Sequence, residues 1–240
     1  MTGLGTIINV AGIVLGGIIG MLCGKLITPR IQNTLLKAIG VCVVFLGIAG
    51  TLQEMFTIQD GRLSGGGTMM MILSLAIGAL IGELINLDRR MEQFGSWLKE
   101  KTGNGKDRMF VDGFVTASLT VCIGAMAVVG SIQDGLSKDY STLLTKGILD
   151  LIIICAMTAS LGKGCIFSAI PVAVFQGLIT LLARCIAPVM TDAALSNLSF
   201  VGNILIFCVG VNLVCENTKI KVANLLPAIV IAVIWSFLPI

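Results

Sequence analysis

Long apolar runs, broken by short polar segments, make up almost the whole chain of 240 residues. Eight runs approach or reach the length of about 20 residues that a helix needs to cross a bilayer. They cover residues 4–26, 35–52, 69–87, 110–129, 143–161, 165–189, 198–214 and 222–238, of which the second, seventh and eighth are short. The pattern predicts an all-α polytopic membrane protein with about eight transmembrane helices, folded as a single integral membrane domain over residues 1–240.

Composition supports this class and excludes others. Apolar residues make up 56% of the chain and charged residues 12%, with a mean hydropathy of +1.00, so a soluble domain could not cover the apolar surface. The net charge of +3 is too small to indicate a nucleic-acid surface. No basic residue precedes Lys25, so a signal peptide is not expected and the first run is predicted to remain as a span.

Lys and Arg are distributed unequally between the two ends of the predicted spans. With eight spans, the connections after spans 1, 3, 5 and 7 share one side and hold 12 of the 16 basic residues. Because basic connections tend to stay in the cytoplasm, this split predicts both termini outside. The 12 residues are Lys25, Arg30, Lys37, Arg89, Arg90, Lys99, Lys101, Lys106, Arg108, Lys163, Lys219 and Lys221.

Two long connections are predicted to differ in structure. Between residues 88 and 108, Met91, Phe94, Trp97 and Leu98 recur at helical spacing among basic residues. This favours a short helix on the anionic inner membrane surface, with a solvated linker as the alternative. Residues 51–67 end in three glycines and are predicted to form a flexible loop.

Two distant parts of the chain resemble each other. The stretch MLCGKLITPRI (21–31) matches TLLARCIAPVM (180–190), with Lys25 opposite Arg184 and Pro29 opposite Pro188. A Gly followed by Phe five residues later recurs in IGVCVVFLGI (39–48) and VGNILIFCVGV (201–211). An offset of five spans inverts the second copy, so repeats at about 4–87 and 165–238 are predicted around a central pair at about 110–161. Secondary transporters often have such inverted repeats.

The unrepeated central part holds an ionisable pair. Lys146 and Asp150 lie one helical turn apart in the fifth apolar run, and at about 1.5 Å per residue Asp150 is roughly 10 Å into the hydrocarbon. Ionisable residues at such depth are costly and usually functional. The spacing is consistent with a static ion pair that orients the span. It is equally consistent with a proton or cation site at Asp150, with Lys146 as the competing charge.

Other polar residues are candidates for the same substrate or ion site. Ser131, Gln133 and Asp134 lie between Gly130 and Gly135, which predicts either a helix broken at membrane depth or an exposed turn.

Gln176 and Asn212 lie inside the sixth and seventh runs. Gln176 follows Pro171, which frees a backbone group that Gln176 could satisfy. Asn212 is one of several asparagines in the apolar runs, for which hydrogen bonding between helices is the alternative role.

The first run has a face without side chains. Gly12, Gly16, Gly20 and Gly24 recur every four residues, so another backbone can approach closely. The spacing predicts tight packing within the fold or a homo-oligomer contact, and a sliding surface in a moving transporter is the alternative.

Catalytic and metal-binding motifs are missing from the sequence. The chain has no His, and its eight cysteines form no C-x-x-C pair, which leaves no zinc or iron–sulfur spacing. No hydrolase or phosphate-binding motif is present. We therefore expect no enzyme activity, no catalytic residues, no metal and no cofactor.

Four stretches are similar to the YdfK/YqgA-like family of bacterial membrane proteins. They are GAMAVVGSIQDGLSKDYSTLLTKGILD (124–150), IGALIGELINL (77–87), FSAIPVAVFQG (167–177) and NLLPAIVIA (224–232), and the resemblance extends over essentially the whole chain. The family has no established substrate, and its members are often labelled as transporters. The resemblance implies a location in the bacterial cytoplasmic membrane. Ser131, Gln133, Asp134, Asp150 and Gln176 lie in the matching stretches.

These observations predict a secondary transporter in the lipid bilayer. It would move a small solute or ion, coupled to a proton or cation through Asp150. An ion channel is one alternative, and it would show a large single-channel conductance. A non-transporting scaffold or sensor is another, and it would seal Asp150 against Lys146 without a water path.

Overall fold

The computed structural model describes residues 2–59, 62–215 and 219–238. Within these ranges the protein is helical apart from one hairpin, which confirms the predicted all-α class. The α-helices are α1 (Leu4–Gly24), α2 (Pro29–Met55), α3 (Thr68–Ile85), α4 (Leu87–Lys101), α5 (Phe110–Cys122), α6 (Ala125–Ser137), α7 (Ser141–Leu161), α8 (Ala169–Leu181), α9 (Ala183–Ile186), α10 (Asp192–Val214) and α11 (Pro227–Trp235). The 3₁₀ segments Lys163–Ser168 and Val222–Leu225 lead into α8 and α11.

By length and composition, six helical segments in the described ranges could each cross a membrane, and the bent pair of α5 and α6 adds a seventh if the pair is one broken span. The eighth predicted span corresponds to a shorter apolar segment, Val222–Trp235. Two runs that were expected to be short are longer than predicted, since α2 has 27 residues and α10 has 23. Both helices continue through polar flanking residues that the hydropathy pattern does not count.

The outer faces of the long helices carry large exposed apolar side chains. Ile7, Leu15, Leu80, Ile152 and Leu181 are each more than half exposed. An apolar surface of this extent is costly in water and favourable against lipid chains. The exposed faces therefore fit an integral membrane protein.

Helix α1 packs against α7 backbone to backbone, and the two helices run parallel. A Cβ atom added to Gly12 would lie 2.7 Å from a backbone oxygen of α7, and at Gly16 and Gly20 it would lie closer still. The facing residues advance by four in both helices: Gly12 meets Gly147, Gly16 meets Leu151, Gly20 meets Cys155 and Gly24 meets Ala159. We call this contact the glycine seam.

The glycine seam shows what packs against the predicted glycine face. Tight packing within the fold, which the spacing predicted, is confirmed. A homo-oligomer contact was the other prediction for this face. Helix α7 of the same chain covers the face, which consists of Gly12, Gly16, Gly20 and Gly24. Small residues serve here to bring two helices of one chain together, as they do in many membrane proteins.

Glycines also bring α2 against α10 and α3 against the last apolar segment. In both pairs the contacts advance along one helix while they recede along the other, so the helices are antiparallel. The facing pairs are Gly40 with Leu213, Gly47 with Phe207, Gly78 with Ala228 and Gly82 with Asn224.

The bent pair of α5 and α6 packs along the segment that leads into α8 and along α8 itself. Gly113 of α5 faces Cys165, and Gly135 of α6 faces the backbone of Thr180. The two contacts advance in the same direction, so these segments run parallel.

Helix α4 confirms the predicted helix in the long polar connection. Phe94 and Trp97 stack with ring centroids 5.7 Å apart, and both are exposed. Leu98 is buried against Phe110 and Phe114 of α5. The helix is therefore attached to the bundle by its apolar face, while its basic face remains free for a membrane surface.

The connection after α2 is not the predicted flexible loop. Strands β1 (Phe56–Gln59) and β2 (Arg62–Gly65) pair antiparallel, with Phe56 opposite Gly65 and Ile58 opposite Leu63. Phe56 and Ile58 alternate with polar residues, a pattern that suits a short strand. The many polar residues and glycines around them make this pattern weak in the sequence.

Asn224 joins three elements at the end of α3. Its side-chain nitrogen donates to Glu83 Oε2 at 2.5 Å, and its oxygen accepts from the backbone N–H of Asp88 at 2.7 Å. Lys221 donates to the other oxygen of Glu83 at 3.0 Å. Asn224 is buried, whereas Glu83 and Lys221 are exposed.

The Asn224→Ala substitution is expected to lower the free energy of unfolding by about 1–3 kcal/mol, because it removes both hydrogen bonds and leaves the Asp88 N–H without its acceptor. The Lys221→Met control is expected to change stability little, since the Lys221–Glu83 pair is exposed to solvent. Chemical unfolding in detergent measures both. Equal losses in the two variants would show that the ion pair, and not Asn224, holds this corner.

Candidate functional site

Lys146 and Asp150 form a buried ion pair on α7. The Lys146 ammonium lies 2.5 Å from Asp150 Oδ2, and the two side chains are 8% and 6% exposed. Their separation of four residues puts them on one face of the helix, as predicted. Isolated charges at this degree of burial are very costly, so each charge depends on the other.

The Lys146 ammonium has a second partner on another helix. It donates to the backbone oxygen of Val121 at 2.8 Å. Val121 is the second-last residue of α5, and α6 leaves at 63° to α5 after the break at residues 123–124. The last carbonyls of a helix have no partner within it, and Lys146 satisfies one of them.

The break between α5 and α6 depends on Gly124. This residue has φ = 138°, a backbone conformation that side chains rarely permit. The bend exposes helix-end groups inside the bundle, where irregular backbone is stable only in contact with protein or a polar cavity. The geometry is that of a discontinuous helix facing an ion pair, a pattern found at the sites of secondary transporters.

Residues 130–135 are neither of the two predicted structures. They form a continuous part of α6, so the helix break lies about six residues earlier than predicted and no exposed turn occurs here. Gly130 and Gly135 serve close packing instead, against Leu143 and Thr180. The sequence does not single out Gly124, because one glycine among 29 is a weak signal when its backbone conformation is unknown.

The three polar residues of α6 have different surroundings. Asp134 is fully buried, and its Oδ2 accepts from the backbone N–H of Gly5 at 3.0 Å, at the start of α1. Ser131 is also buried and donates to the backbone oxygen of Ala127. Gln133 is half-buried and accepts from the Thr142 hydroxyl at 2.7 Å. Asp134 and Ser131 thus face the interior, while Gln133 ties α6 to α7.

Gln176 lies on α8 and is fully buried. Neither polar atom of its amide has a hydrogen-bond partner among the described residues. Asn9 on α1 is also fully buried, and its side chain lies beside the Asp150 carboxylate. Asn9 is one of the asparagines in the apolar runs, and its place beside Asp150 makes it part of this site.

Asn212 is not brought to the ion pair. It lies in the last turn of α10, where its amide donates to and accepts from the backbone of Ile220, at 2.7 and 2.8 Å. Asn212 thereby holds Ile220 against the end of α10. Five of the seven predicted site residues, Lys146, Asp150, Asp134, Ser131 and Gln176, face the interior around α1, α6, α7 and α8.

A cavity of about 340 Å³ lies at the helix break. Its walls include Cys122, Ile123 and Gly124 of the break, and Pro171 and Phe175 of α8. The lining is almost wholly apolar. The backbone that separates α5 from α6 therefore has the ion pair as one neighbour and an apolar cavity as another.

No group of three or more Cys, Asp or Glu residues that could hold a metal ion occurs in residues 2–59, 62–215 and 219–238. The polar site consists instead of one ion pair, one further carboxylate, two carboxamides and several hydroxyls. Such a set is suited to bind water, protons or small monovalent ions more than a multivalent metal.

Long apolar helices, lipid-type outer faces and a buried ion pair at a broken helix define an α-helical integral membrane protein. The chain belongs to the family described as "Protein of unknown function (DUF554)", whose model matches residues 4–237.

Two relatives extend over nearly the whole chain. The "Uncharacterized membrane protein YdfK" of Bacillus subtilis (strain 168) is 31% identical over 233 residues, which cover 97% of this chain and 95% of the relative. The "Uncharacterized protein YqgA" of Escherichia coli (strain K12) is 24% identical over 233 residues, which cover 95% and 94%. No solved structure matches. The resemblance inferred from the sequence motifs is thus confirmed.

Proposed function

We propose that this protein is a secondary transporter of a small solute or ion in the bacterial cytoplasmic membrane, coupled to a proton or monovalent cation at Asp150. The observation that carries the proposal is the buried Lys146–Asp150 pair, whose ammonium also binds the backbone at a helix break. A carboxylate that exchanges one positive partner for another can alternate between two states of similar energy. Secondary transport requires such an exchange.

The packing of the helices supports an inverted repeat. In an inverted repeat, a two-fold axis in the membrane plane relates spans 1–3 to spans 6–8. Such an axis would place α2 antiparallel to α10, and α3 antiparallel to the last apolar segment, Val222–Trp235. It would also relate the contact of α1 with α7 to that of α8 with the bent pair. All four contacts are made, with these relative directions.

The helix directions also support eight crossings. Eight alternating crossings, with α5 and α6 counted as one, make α1 parallel to α7 and α2 antiparallel to α10. They also make α3 antiparallel to the last segment. These are the directions observed at the glycine contacts. An even number of crossings leaves both termini on one side, and the distribution of basic residues favours the outside.

A membrane scaffold or sensor without transport is the second candidate. The short Lys146–Asp150 contact favours it, because a sealed ion pair would stabilise a static span. The unpaired carboxamide of Gln176 favours transport, since a static, dry interior would leave it without a hydrogen-bond partner.

Coupled flux decides between the candidates. The protein is reconstituted in vesicles of phosphatidylethanolamine and phosphatidylglycerol that contain a pH dye. Proton and Na⁺ movement is then followed as a panel of amino acids, carboxylates, sugars and inorganic ions is added. Transport predicts a saturable, solute-dependent cation flux that Asp150→Asn abolishes. Asp139→Asn, a loop carboxylate bonded to the Ser141 N–H, should leave the flux unchanged.

The double variant Lys146→Met/Asp150→Asn separates loss of coupling from loss of folding, because it leaves no unpaired charge. It is expected to remain monodisperse and to carry no coupled flux. Unaltered flux in Asp150→Asn would refute the role of Asp150. A large non-saturable conductance would indicate a channel, and the absence of solute- or cation-dependent flux would favour the scaffold.

A further inference from the structure

Two neighbouring helices carry buried carboxamides at the heart of this site. Asn9 of α1 and Gln176 of α8 are fully buried. The Asn9 amide lies beside the Asp150 carboxylate, whereas neither amide atom of Gln176 has a hydrogen-bond partner among the described residues. Buried polar atoms in native proteins nearly always have a partner in protein or ordered water. The unpaired amide of Gln176 therefore points to contact with water or with a polar ligand.

Asn9 and Gln176 lie at one level of the bundle. Helices α1 and α8 are antiparallel, because Thr6 meets Thr180 and Gly17 meets Ile166 further along. The two threonine hydroxyls are 3.4 Å apart. One helical turn further into the bundle, Asn9 follows Thr6 on α1 and Gln176 precedes Thr180 on α8. The four side chains thus form two successive polar layers between the same two helices.

A carboxylate lies at each end of these layers. At the outer end, Asp134 lies against the start of α1, with Oδ2 on the Gly5 N–H and with Oδ1 unpaired among the described residues. The next residue, Gly135, packs on the backbone of Thr180, so Asp134 lies at the level of the threonines.

At the inner end, the Asn9 backbone packs on Gly147 of α7. The Asn9 side chain lies beside the Asp150 carboxylate. The two polar layers therefore lead from Asp134 to the ion pair.

Beyond Asp150 the interior becomes mostly apolar. Ile13, Ile154 and Met157 are fully buried in the main apolar core. On that side, the glycine seam brings the α1 backbone into contact with Leu151 and Cys155 and leaves no room for a side chain. The next buried polar side chain on α7 is Thr158, about two helical turns past Asp150. The polar row is therefore interrupted after Asp150.

We propose that Asp134, Thr6, Thr180, Asn9 and Gln176 line a hydrated path by which small monovalent cations, including the proton, reach Asp150 from the side on which α1 begins. The inference rests on the proposed function, in which Asp150 is the coupling site. The ion pair alone does not explain how a cation from one side of the membrane reaches a buried carboxylate. The path gives the cation that route.

The polar atoms along the path are suited to cations. Asp134 lies at the outer end, where its Oδ1 has no partner among the described residues and can receive a cation. The carboxamide oxygens of Asn9 and Gln176 can coordinate a cation or a water that carries a proton. Lys146 lies at the closed end, where its ammonium holds Asp150 until a cation replaces it.

Cysteine accessibility tests the path without any knowledge of the solute. Thr6→Cys, Thr180→Cys and Gln176→Cys are treated in oriented vesicles with 2-aminoethyl methanethiosulfonate, and with its anionic 2-sulfonatoethyl analogue. Free cysteine sealed inside removes any reagent that crosses the bilayer. Peptide mass spectrometry measures the modification of each introduced cysteine separately. The eight native cysteines therefore do not need to be replaced. Ile7→Cys is the matched control, because Ile7 adjoins Thr6 in sequence but is 64% exposed on the outer face.

All three path positions are expected to react from the side on which α1 begins, and Ile7→Cys is expected not to, because lipid suppresses the thiolate. The cationic reagent should react about tenfold faster than the anionic one, and Asp134→Asn should remove most of this difference. Thr6→Cys and Thr180→Cys replace a side chain of similar size, so a folding defect in Gln176→Cys would still leave two positions.

Unreactive path positions, or equal reaction from both sides, would overturn the proposal. The test is also distinct from that of the proposed function. If Asp150→Asn abolishes coupled flux while the path positions do not react, the function stands and the path is wrong. If the path positions react but no cation moves in any assay, the path is a water-filled cavity, and both the access role and the transport function fail.

Discussion

The Lys146→Met substitution is expected to lower the free energy of unfolding by about 3–5 kcal/mol, because it leaves the Asp150 carboxylate buried and unpaired. Both side chains of the pair are more than nine-tenths buried, so solvent cannot compensate for the missing charge. The variant also removes the donor for the Val121 carbonyl at the helix break, which adds about 1–3 kcal/mol for an unsatisfied buried acceptor. Reversible unfolding in mixed micelles measures the loss.

The double variant Lys146→Met/Asp150→Leu is the control for this first expectation. With both charges removed, most of the lost stability is expected to return, because apolar replacements for a buried pair are often neutral. The orphaned Val121 carbonyl remains in both variants, so recovery should be incomplete by about 1–3 kcal/mol. A loss below about 1 kcal/mol for Lys146→Met alone would mean that the pair is hydrated, since exposed pairs contribute only that much.

The Gly16→Ala/Gly20→Ala double substitution is expected to destabilise the protein by about 3 kcal/mol or more, because overpacking at one site commonly costs 1–3 kcal/mol. At both positions a Cβ atom would overlap a backbone oxygen of α7, Leu151 O and Cys155 O respectively. A backbone atom cannot rotate away as a side chain can, so α1 must separate from α7. Unfolding in detergent, followed by circular dichroism, measures the change.

Gly177→Ala is the matched control for the glycine seam. This glycine also lies in a helix of the membrane region, but a Cβ added there would meet no atom within 4 Å. The alanine is expected to be neutral or to stabilise α8 by about 0.5–1 kcal/mol, because alanine loses less conformational freedom than glycine. If both alanine variants behaved alike, the close approach of α1 and α7 would be wrong.

The glycine seam also bears on the proposed transport. Helix α1 meets α7 through backbone atoms at Gly12, Gly16 and Gly20, so the two helices hold each other in one register. Asp150 is on α7, and Asn9 is on α1. A small displacement between the two helices would therefore change the surroundings of the ion pair directly.

The sequence alone determined the features that depend on local periodicity. The apolar runs located the six helical segments that are long and apolar enough to cross a membrane, and the bent pair of α5 and α6, while the spacing of Phe94, Trp97 and Leu98 identified α4. The separation of four residues placed Lys146 beside Asp150, because one turn of helix fixes that distance whatever surrounds it. The spacing of the seam glycines likewise predicted a close helix contact, although not its partner.

Only the tertiary structure decided which distant groups meet. It joined Lys146 to Val121 and Asp134 to Gly5, and it brought Asn9 and Gln176 to one level of the bundle. Contacts between segments far apart in sequence depend on the order, direction and rotation of the packed helices. Apolar runs of similar composition do not reveal this order, direction or rotation. The break at Gly124 was hidden for a related reason, since a glycine's backbone angle depends on the packing of the helices on both sides.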